Sequence, residues 1–186
     1  MKRLFDLAVA SVLAVPLLPL MALEAIAIAL DSRGPVLFVQ ERIGQGGRPF
    51  LLYKFRTMVP PENSRDAQGR LKPDPERITR LGAFLRRTSL DELPQLFNVL
   101  AGDMSIVGPR PTLRYQVERY DAFQRRRLDV KPGITGLAQI RGRNSLTWEE
   151  KIRHDVEYVD RRSLLLDIRI LAATAAVVLR RDGVDF

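Results

Sequence analysis

Apolar positions run almost unbroken over residues 4–30, LFDLAVASVLAVPLLPLMALEAIAIAL, where Asp6 and Glu24 are the only charges. The uncharged centre, residues 7–23, measures about 26 Å as a straight helix, slightly short of a hydrocarbon layer about 30 Å thick. Adding residues 25–30 supplies the length and places Glu24 in lipid or at an interface. Pro16 and Pro19 remove backbone donors and clash with the carbonyls of Val12 and Val15, so a sharp bend is expected there. Basic residues flank both ends, Lys2 and Arg3 before the run and Arg33, Arg42, Arg48, Lys54 and Arg56 after it. The positive-inside rule therefore finds no asymmetry. If both flanks stay cytoplasmic, the segment must enter and return as a broken, re-entrant hairpin. A proline-kinked single span fits the same pattern, as does a secretory signal peptide with small residues at Ala25 and Ala27.

Beyond this run the period changes. Residues 36–41 (VLFVQE) and 49–58 (PFLLYKFRTM), rich in β-branched and aromatic residues and separated by IGQGGR, predict a β-hairpin with a glycine-rich loop. Residues 60–75 carry PP, NS, DAQG and PDP and no apolar period, which predicts an exposed loop suited to act as a lid. Helical spacing predicts helices over 76–87, 90–100, 113–127 and 148–161, with Ser89 starting the second. Residues 130–147, punctuated by Pro and Gly, predict loop with short strands. The segment 163–181 is apolar but broken by Asp167 and Arg169, and its neutral stretch is too short to span. A helix lying in the interface or docked on the core fits it better. The expected fold class is α+β and mostly helical: an N-terminal helix-break-helix membrane hairpin over 1–31, then one domain over 32–186 with a β-hairpin and amphipathic interfacial helices.

Composition narrows the chemistry. The 186 residues contain no cysteine and one histidine, His154. Disulfides, iron–sulfur clusters and thiol nucleophiles are excluded, and any metal should be a hard, oxygen-liganded ion such as Mg²⁺. The net charge of +8, with arginine supplying 25 of 30 positive charges, points to phosphate on nucleic acid, lipid or a small diphosphate. Neither a P-loop nor a strand-to-helix G-x-G-x-x-G is present, so phosphate binding must rest on arginines, helix N-termini and a metal.

The densest chemistry is Asp91-Glu92 in RRTSLDELPQLFNVL. Ser89-x-x-Glu92 matches a capping box, which explains it structurally. The functional alternative is a carboxylate in the positive field of a helix start and of Arg86 and Arg87, able to attack phosphorus and form an acyl phosphate. Adjacent helical residues point about 100° apart, so the two acids must divide the work between nucleophile and metal or proton handling. Arg110, between two prolines, is either part of a rigid turn or a phosphate clamp. Arg141 and Arg143 sit on a glycine-bounded loop.

Together these segments resemble the monotopic polyprenyl-phosphate phosphoglycosyl transferases, the bacterial sugar transferase family. The resemblance rests on KRLFD (2–6), YKFRTM (53–58), RRTSLDELPQLFNVLAGDMSIVGPRP (86–111), KPGITGLAQIRGRN (131–144), HDVEYV (154–159) and LLLDIRI (164–170), in family order. It implies a re-entrant anchor in a bacterial inner membrane, a catalytic domain on the cytoplasmic face, and Mg²⁺ held at Asp91 and Glu92. It further implies that Asp91 attacks the sugar-bearing phosphate of a UDP-sugar, UMP leaves, and a polyprenyl (undecaprenyl) phosphate takes the phosphosugar. Glu92 would partner Asp91, Arg110 would clamp phosphate, and Arg86, Arg143, Asp155 and Asp167 match other polar motif positions in substrate binding. Family members often carry Ser-Pro at the membrane break, whereas this chain has Leu18-Pro19 with an additional Pro16, and leucine cannot re-satisfy a freed backbone group. The chain matches the minimal catalytic form. Nucleic acid is not an expected partner, and a homodimer is left open.

Overall fold

The computed structural model describes residues 1–66, 68–142 and 145–180. The apolar N-terminal run forms one helix, α1 (Lys2–Asp31), about 45 Å long at 1.5 Å per residue. Pro16 and Pro19 lie inside this one helix, with helical residues on both sides of them, in place of two separately bounded helices. Both prolines are on the exposed face. Proline's own φ is helical, and Ala10, Ala14 and Met21 pack the opposite face against the rest of the chain. The buried stripe of α1, Asp6, Ala10, Ala14, Met21, Glu24 and Ile28, recurs at helical spacing along its whole length. On the other side Leu4, Val12, Val15, Leu23, Ile26 and Leu30 stay exposed.

Both ends of α1 are fastened to the same body. Arg3 donates to the carbonyls of Val99 (2.5 Å) and Leu100 (2.9 Å). At the other end Arg56 donates to the carbonyls of Ile28, Ser32 and Arg33, in the last turn of α1 and the two residues that follow it. The basic residues Lys2 and Arg3 therefore hold the helix to protein. Lys2 reaches Asp167 (2.8 Å) and Asp6 (3.4 Å), and Asp6 accepts from Ser105 Oγ and the Ile106 amide. Polar contacts to the body thus hold α1 near both of its ends, at Lys2, Arg3 and Asp6 and at Ile28, with Ser32 and Arg33 just beyond the helix.

The predicted hairpin forms as β1 (Leu37–Ile43) paired antiparallel with β2 (Pro49–Phe55), in register from Leu37↔Phe55 to Ile43↔Pro49. The far edge of β2 is closed by a side chain. Asn98, fully buried, donates to the Leu51 carbonyl (2.7 Å) and accepts from the Tyr53 amide (3.1 Å), so it stands in for a third strand. The stretch expected as one helix over 76–87 divides into α2 (Asp74–Arg77) and α3 (Arg80–Thr88). Ile78 pairs with Met58 as an isolated bridge, and Thr79 caps α3 by accepting from the Gly82 amide. Then follow α4 (Gln95–Ala101), β3 (Ser105–Val107), α5 (Arg114–Val117) and α6 (Ala122–Arg125). The single helix predicted over 113–127 is split because Asp121 forms its own capping box with Gln124 and starts a new helix.

Next come β4 (Gly133–Thr135), parallel to β3, α7 (Leu137–Arg141), α8 (Trp148–Arg161) and α9 (Leu164–Arg180). As predicted, α8 is one helix, started by a Thr147/Glu150 capping box. The main core gathers Ala10 and Ala14 with Leu52, Leu96, Val99, Met104, Ile106, Tyr158 and Ile170, so α1, the hairpin, α4, β3 and α9 share one interior. Helix α9 is docked on it through Ile170 and Asp167, leaving Leu165 and Ile168 exposed.

Candidate active site

Asp91 and Glu92 sit in a single 3₁₀ turn, Leu90–Glu92, between α3 and α4. The capping-box reading fails. Ser89 adopts the left-handed conformation (φ 58°) as the residue that ends α3, and its side chain makes no cap to the turn that follows. This is the one non-glycine residue with positive φ among the described residues, and such strain concentrates at functional sites. Leu90 and Leu93 pack with Met21, Ile28, Phe55 and Leu85, so α1 supports the turn from beneath. The buried Glu24 carboxyl, with neither oxygen hydrogen-bonded among the described residues, lies there within electrostatic reach of Asp91.

The turn opens into a cleft of about 1010 Å³ lined by Lys54, Arg86, Asp91, Glu92, Arg110 and Asp155, with Pro60, Pro61 and Glu62 of the predicted loop at its edge. The two acids are in opposite electrostatic states. Burial works against ionised Glu92, but Arg110 and Lys54 overcome it and hold its carboxyl well below the usual range. Both cations bind the same oxygen, Lys54 Nζ at 2.6 Å and Arg110 Nη2 at 2.8 Å from Oε1. Asp91 accepts no hydrogen bond among the described residues. Burial, then the neighbouring Glu92, pushes it up to about 6 against the opposing pull of Lys54, Arg110 and Arg86. Neighbouring carboxylates with separated proton affinities are a recognised arrangement for divided chemical roles.

The other predicted residues divide clearly. Arg86 lines the cleft with Nε donating to Thr57 Oγ1 (2.8 Å). Arg110 lines it half exposed. Asp155 borders it, but its carboxylate is ion-paired to the buried Arg127, and burial raises it to about 6 despite that partner. Arg127 also donates to Tyr120 Oη (2.7 Å) and to the Arg110 carbonyl (3.1 Å) and lies over the rings of Tyr120 and Trp148. Asp155 thus fixes the wall behind Arg110. Asp167 is not brought to the dyad: it binds Lys2 and accepts from Tyr158 Oη beside a second cavity of about 500 Å³. Arg143 lies outside the described residues, and Arg141 turns to Glu157. Sequence reasoning missed Lys54 as a partner of Glu92 and Arg127 as a support of Arg110. A lysine within the apolar strand PFLLYKF was the available signal for the first.

A hard cation fits this donor set. Asp91 and Glu92 both line the cleft, the bonds that Glu92 accepts from Lys54 and Arg110 fall on Oε1, and Mg²⁺ is usually held by one or two carboxylates together with substrate phosphates. Those two residues are the ones expected to hold it.

A helix-rich body with a long apolar N-terminal helix and an acidic dyad among arginines describes a class that comparison makes specific. The bacterial sugar transferase profile matches residues 1–181. The chain is 48% identical over 185 residues to EpsL, a sugar transferase of Bacillus subtilis, covering all of this chain and 90% of that protein. It is 46% identical over 187 residues to the UDP-glucose:undecaprenyl-phosphate glucose-1-phosphate transferase of Xanthomonas campestris pv. campestris, covering 96% of this chain and 38% of the relative. With the undecaprenyl-phosphate galactose phosphotransferase of Salmonella typhimurium it shares 42% over 200 residues, covering 98% and 41%. The chain spans nine-tenths of the first relative and about two-fifths of the other two. It belongs to the bacterial sugar transferase family.

Proposed function

We propose that this protein transfers a sugar 1-phosphate from a UDP-sugar to a polyprenyl phosphate, undecaprenyl phosphate in a bacterial membrane, through a covalent intermediate on Asp91. The observation that carries this reading is the asymmetry of the dyad: Glu92 is bound by two cations, while Asp91, beside it in a strained turn, has an unengaged carboxylate facing an arginine-lined cleft. An Asp91 oxygen attacks the sugar-bearing phosphorus. The bond from that phosphorus to the bridging oxygen breaks, and UMP leaves with the bridging oxygen and its electron pair. An oxygen of the lipid phosphate then attacks the same phosphorus, the aspartyl–phosphorus bond breaks, and Asp91 is regenerated with the polyprenyl-diphosphate-sugar as product.

In this scheme Glu92 fixes Lys54 and Arg110 at the phosphates, where preorganised charge lowers the barrier. Arg86, which also lines the cleft and acts on Asp91, adds a further cation. Asp91 and Glu92 are the residues that would hold Mg²⁺, which would neutralise diphosphate charge there. The exposed apolar face of α1, together with Leu165 and Ile168 of α9, is read as the membrane-contacting surface. The fastening of both ends of α1 to the body supports a reading in which the helix enters one leaflet with the body beside it, and the nucleotide-sugar donor of the proposed reaction puts that body on the cytoplasmic face. Consumption of a cytosolic nucleotide sugar and a lipid carrier suits the first membrane step of glycoconjugate assembly.

A panel of UDP-sugars, assayed for UMP release with undecaprenyl phosphate and Mg²⁺, tests the reading. One or more sugars should support turnover, and Asp91→Asn should abolish it. Absence of UMP release across the panel, or a fully active Asp91→Asn protein, rejects it.

A further inference from the structure

Arg42 has no part in the scheme above, yet it lines the same cleft. It stands near the end of β1, where an isolated bridge between Ile43 and Thr112 (Ile43 amide to Thr112 carbonyl, 2.9 Å) ties the strand to the segment that carries Arg110. This tie places two guanidinium groups on one wall. Arg42 Nη2 donates to Gln40 Oε1 (2.6 Å) and Nη1 reaches the Pro111 carbonyl at 3.4 Å, while its buried Nε has no partner. No carboxylate pairs with Arg42 among the described residues. The adjacent Glu41, on the opposite face of the strand, is taken by Arg114 (3.0 Å). Burial and then the neighbouring Arg110 act against the Arg42 charge, while Tyr115 and Glu92 favour it, and the first two prevail. Glu92 is paired with Lys54 and Arg110 and attracts Arg42 only at longer range, so on this wall Arg42, Lys54 and Arg110 stand against the two carboxylates Asp91 and Glu92.

Such a wall fits a dianion. In the double displacement proposed above, on which this inference rests, two groups occupy the side of the phosphorus opposite Asp91: first the departing nucleotide monophosphate, then the attacking lipid phosphate. Both are phosphate monoesters. We propose that Arg42, together with Arg110, forms a phosphate-monoester subsite that UMP and the polyprenyl phosphate occupy in turn. Paired guanidinium forks suit the several oxygens of such a group.

The test uses the full-length protein in detergent. Binding of UMP and of uridine is measured by titration calorimetry for wild type, Arg42→Gln and Arg42→Lys, with Arg48→Gln in the exposed hairpin turn as control. KM for undecaprenyl phosphate is measured in parallel. Loss of a charge-assisted contact should weaken UMP by about tenfold or more, leave uridine within about twofold, and raise KM for undecaprenyl phosphate by a similar factor. Arg42→Lys should recover part of each loss. Unchanged UMP binding in Arg42→Gln overturns the subsite. Weakened UMP with an unchanged lipid KM overturns its shared use, and equal weakening of UMP and uridine overturns the phosphate assignment. Exchange of labelled UMP into UDP-sugar by wild type, without lipid acceptor, checks the double displacement separately. If that exchange is absent while UMP binding still depends on Arg42, the covalent scheme fails and the anion site stands.

Discussion

Replacing Arg127 by methionine should separate the stability of the cleft wall from its function. Arg127 and Asp155 are both almost wholly buried, and Asp155 Oδ1 already lacks a hydrogen-bond partner among the described residues. Arg127→Met would leave the whole carboxylate unpaired in the interior, which costs about 3–5 kcal/mol. Against a typical total of about 5–15 kcal/mol this is a large loss. At about 2–4 °C per kcal/mol for a chain of this size, the Tm should fall by roughly 6–20 °C. Removing both partners with Arg127→Met/Asp155→Leu takes away the unpaired charge, so the Tm should return to near the wild-type value. Activity should not return with it. The Arg110 carbonyl still lacks the donor that sits 3.1 Å away in the wild type, and KM for the UDP-sugar should stay raised several-fold. Thermal melts followed by circular dichroism, beside UMP-release kinetics, give both readouts. A single variant that loses less than about 1 kcal/mol, or a double variant whose KM recovers with its Tm, would refute the role given to this pair.

Other consequences follow from individual contacts. Asn98→Ala strips partners from the Leu51 carbonyl and the Tyr53 amide and should lower stability by about 2–4 kcal/mol in denaturant melts. A loss under about 1 kcal/mol would show that the β2 edge does not depend on it. A Cβ at Gly82 would lie 2.0 Å from the Thr57 carbonyl oxygen, so Gly82→Ala must push α3 away from the residue that receives Arg86. Its UMP release should fall several-fold even where melts show a folded protein. With Asp91 at about 6, the rate of the first half-reaction should drop about tenfold per pH unit below that value, since only the ionised form attacks. A rate that is flat down to pH 4.5 contradicts this. The same shift has a sign for stability: the folded pKa lies above the ordinary 3.8, so the stabilising neutral form persists below about pH 4 and is lost as pH rises through about 6. Asp91→Asn should therefore melt higher than wild type at pH 7.5.

Local pattern alone located much of this molecule. The β-branched and aromatic content with the glycine loop identified the hairpin, and helical spacing identified α8, because these signals act within a few residues. The continuity of α1 was not legible, since Pro16 and Pro19 argue for a break until Ala10, Ala14 and Met21 are seen packed on the opposite face. Ser89 carried a valid capping pattern that tertiary packing overrode by ending α3 at that residue. At the site, the dyad and Arg86 and Arg110 were legible because the motif is contiguous. Lys54, Arg42 and Arg127 were not, because their importance comes from partners that are 38, 69 and 28 residues away in sequence. Asp167 matched a polar motif position, yet its neighbours in space are Lys2 and Tyr158.

The central claim, that Asp91 itself carries the phosphosugar, is tested most directly by intact-protein mass spectrometry after mixing enzyme with a UDP-sugar substrate and Mg²⁺ without lipid acceptor. The expected result is an added mass of one sugar phosphate, mapped to Asp91, with one UMP released per enzyme, discharged by undecaprenyl phosphate and absent from Asp91→Asn. UMP release that requires the acceptor, with no adduct at any time, would contradict it.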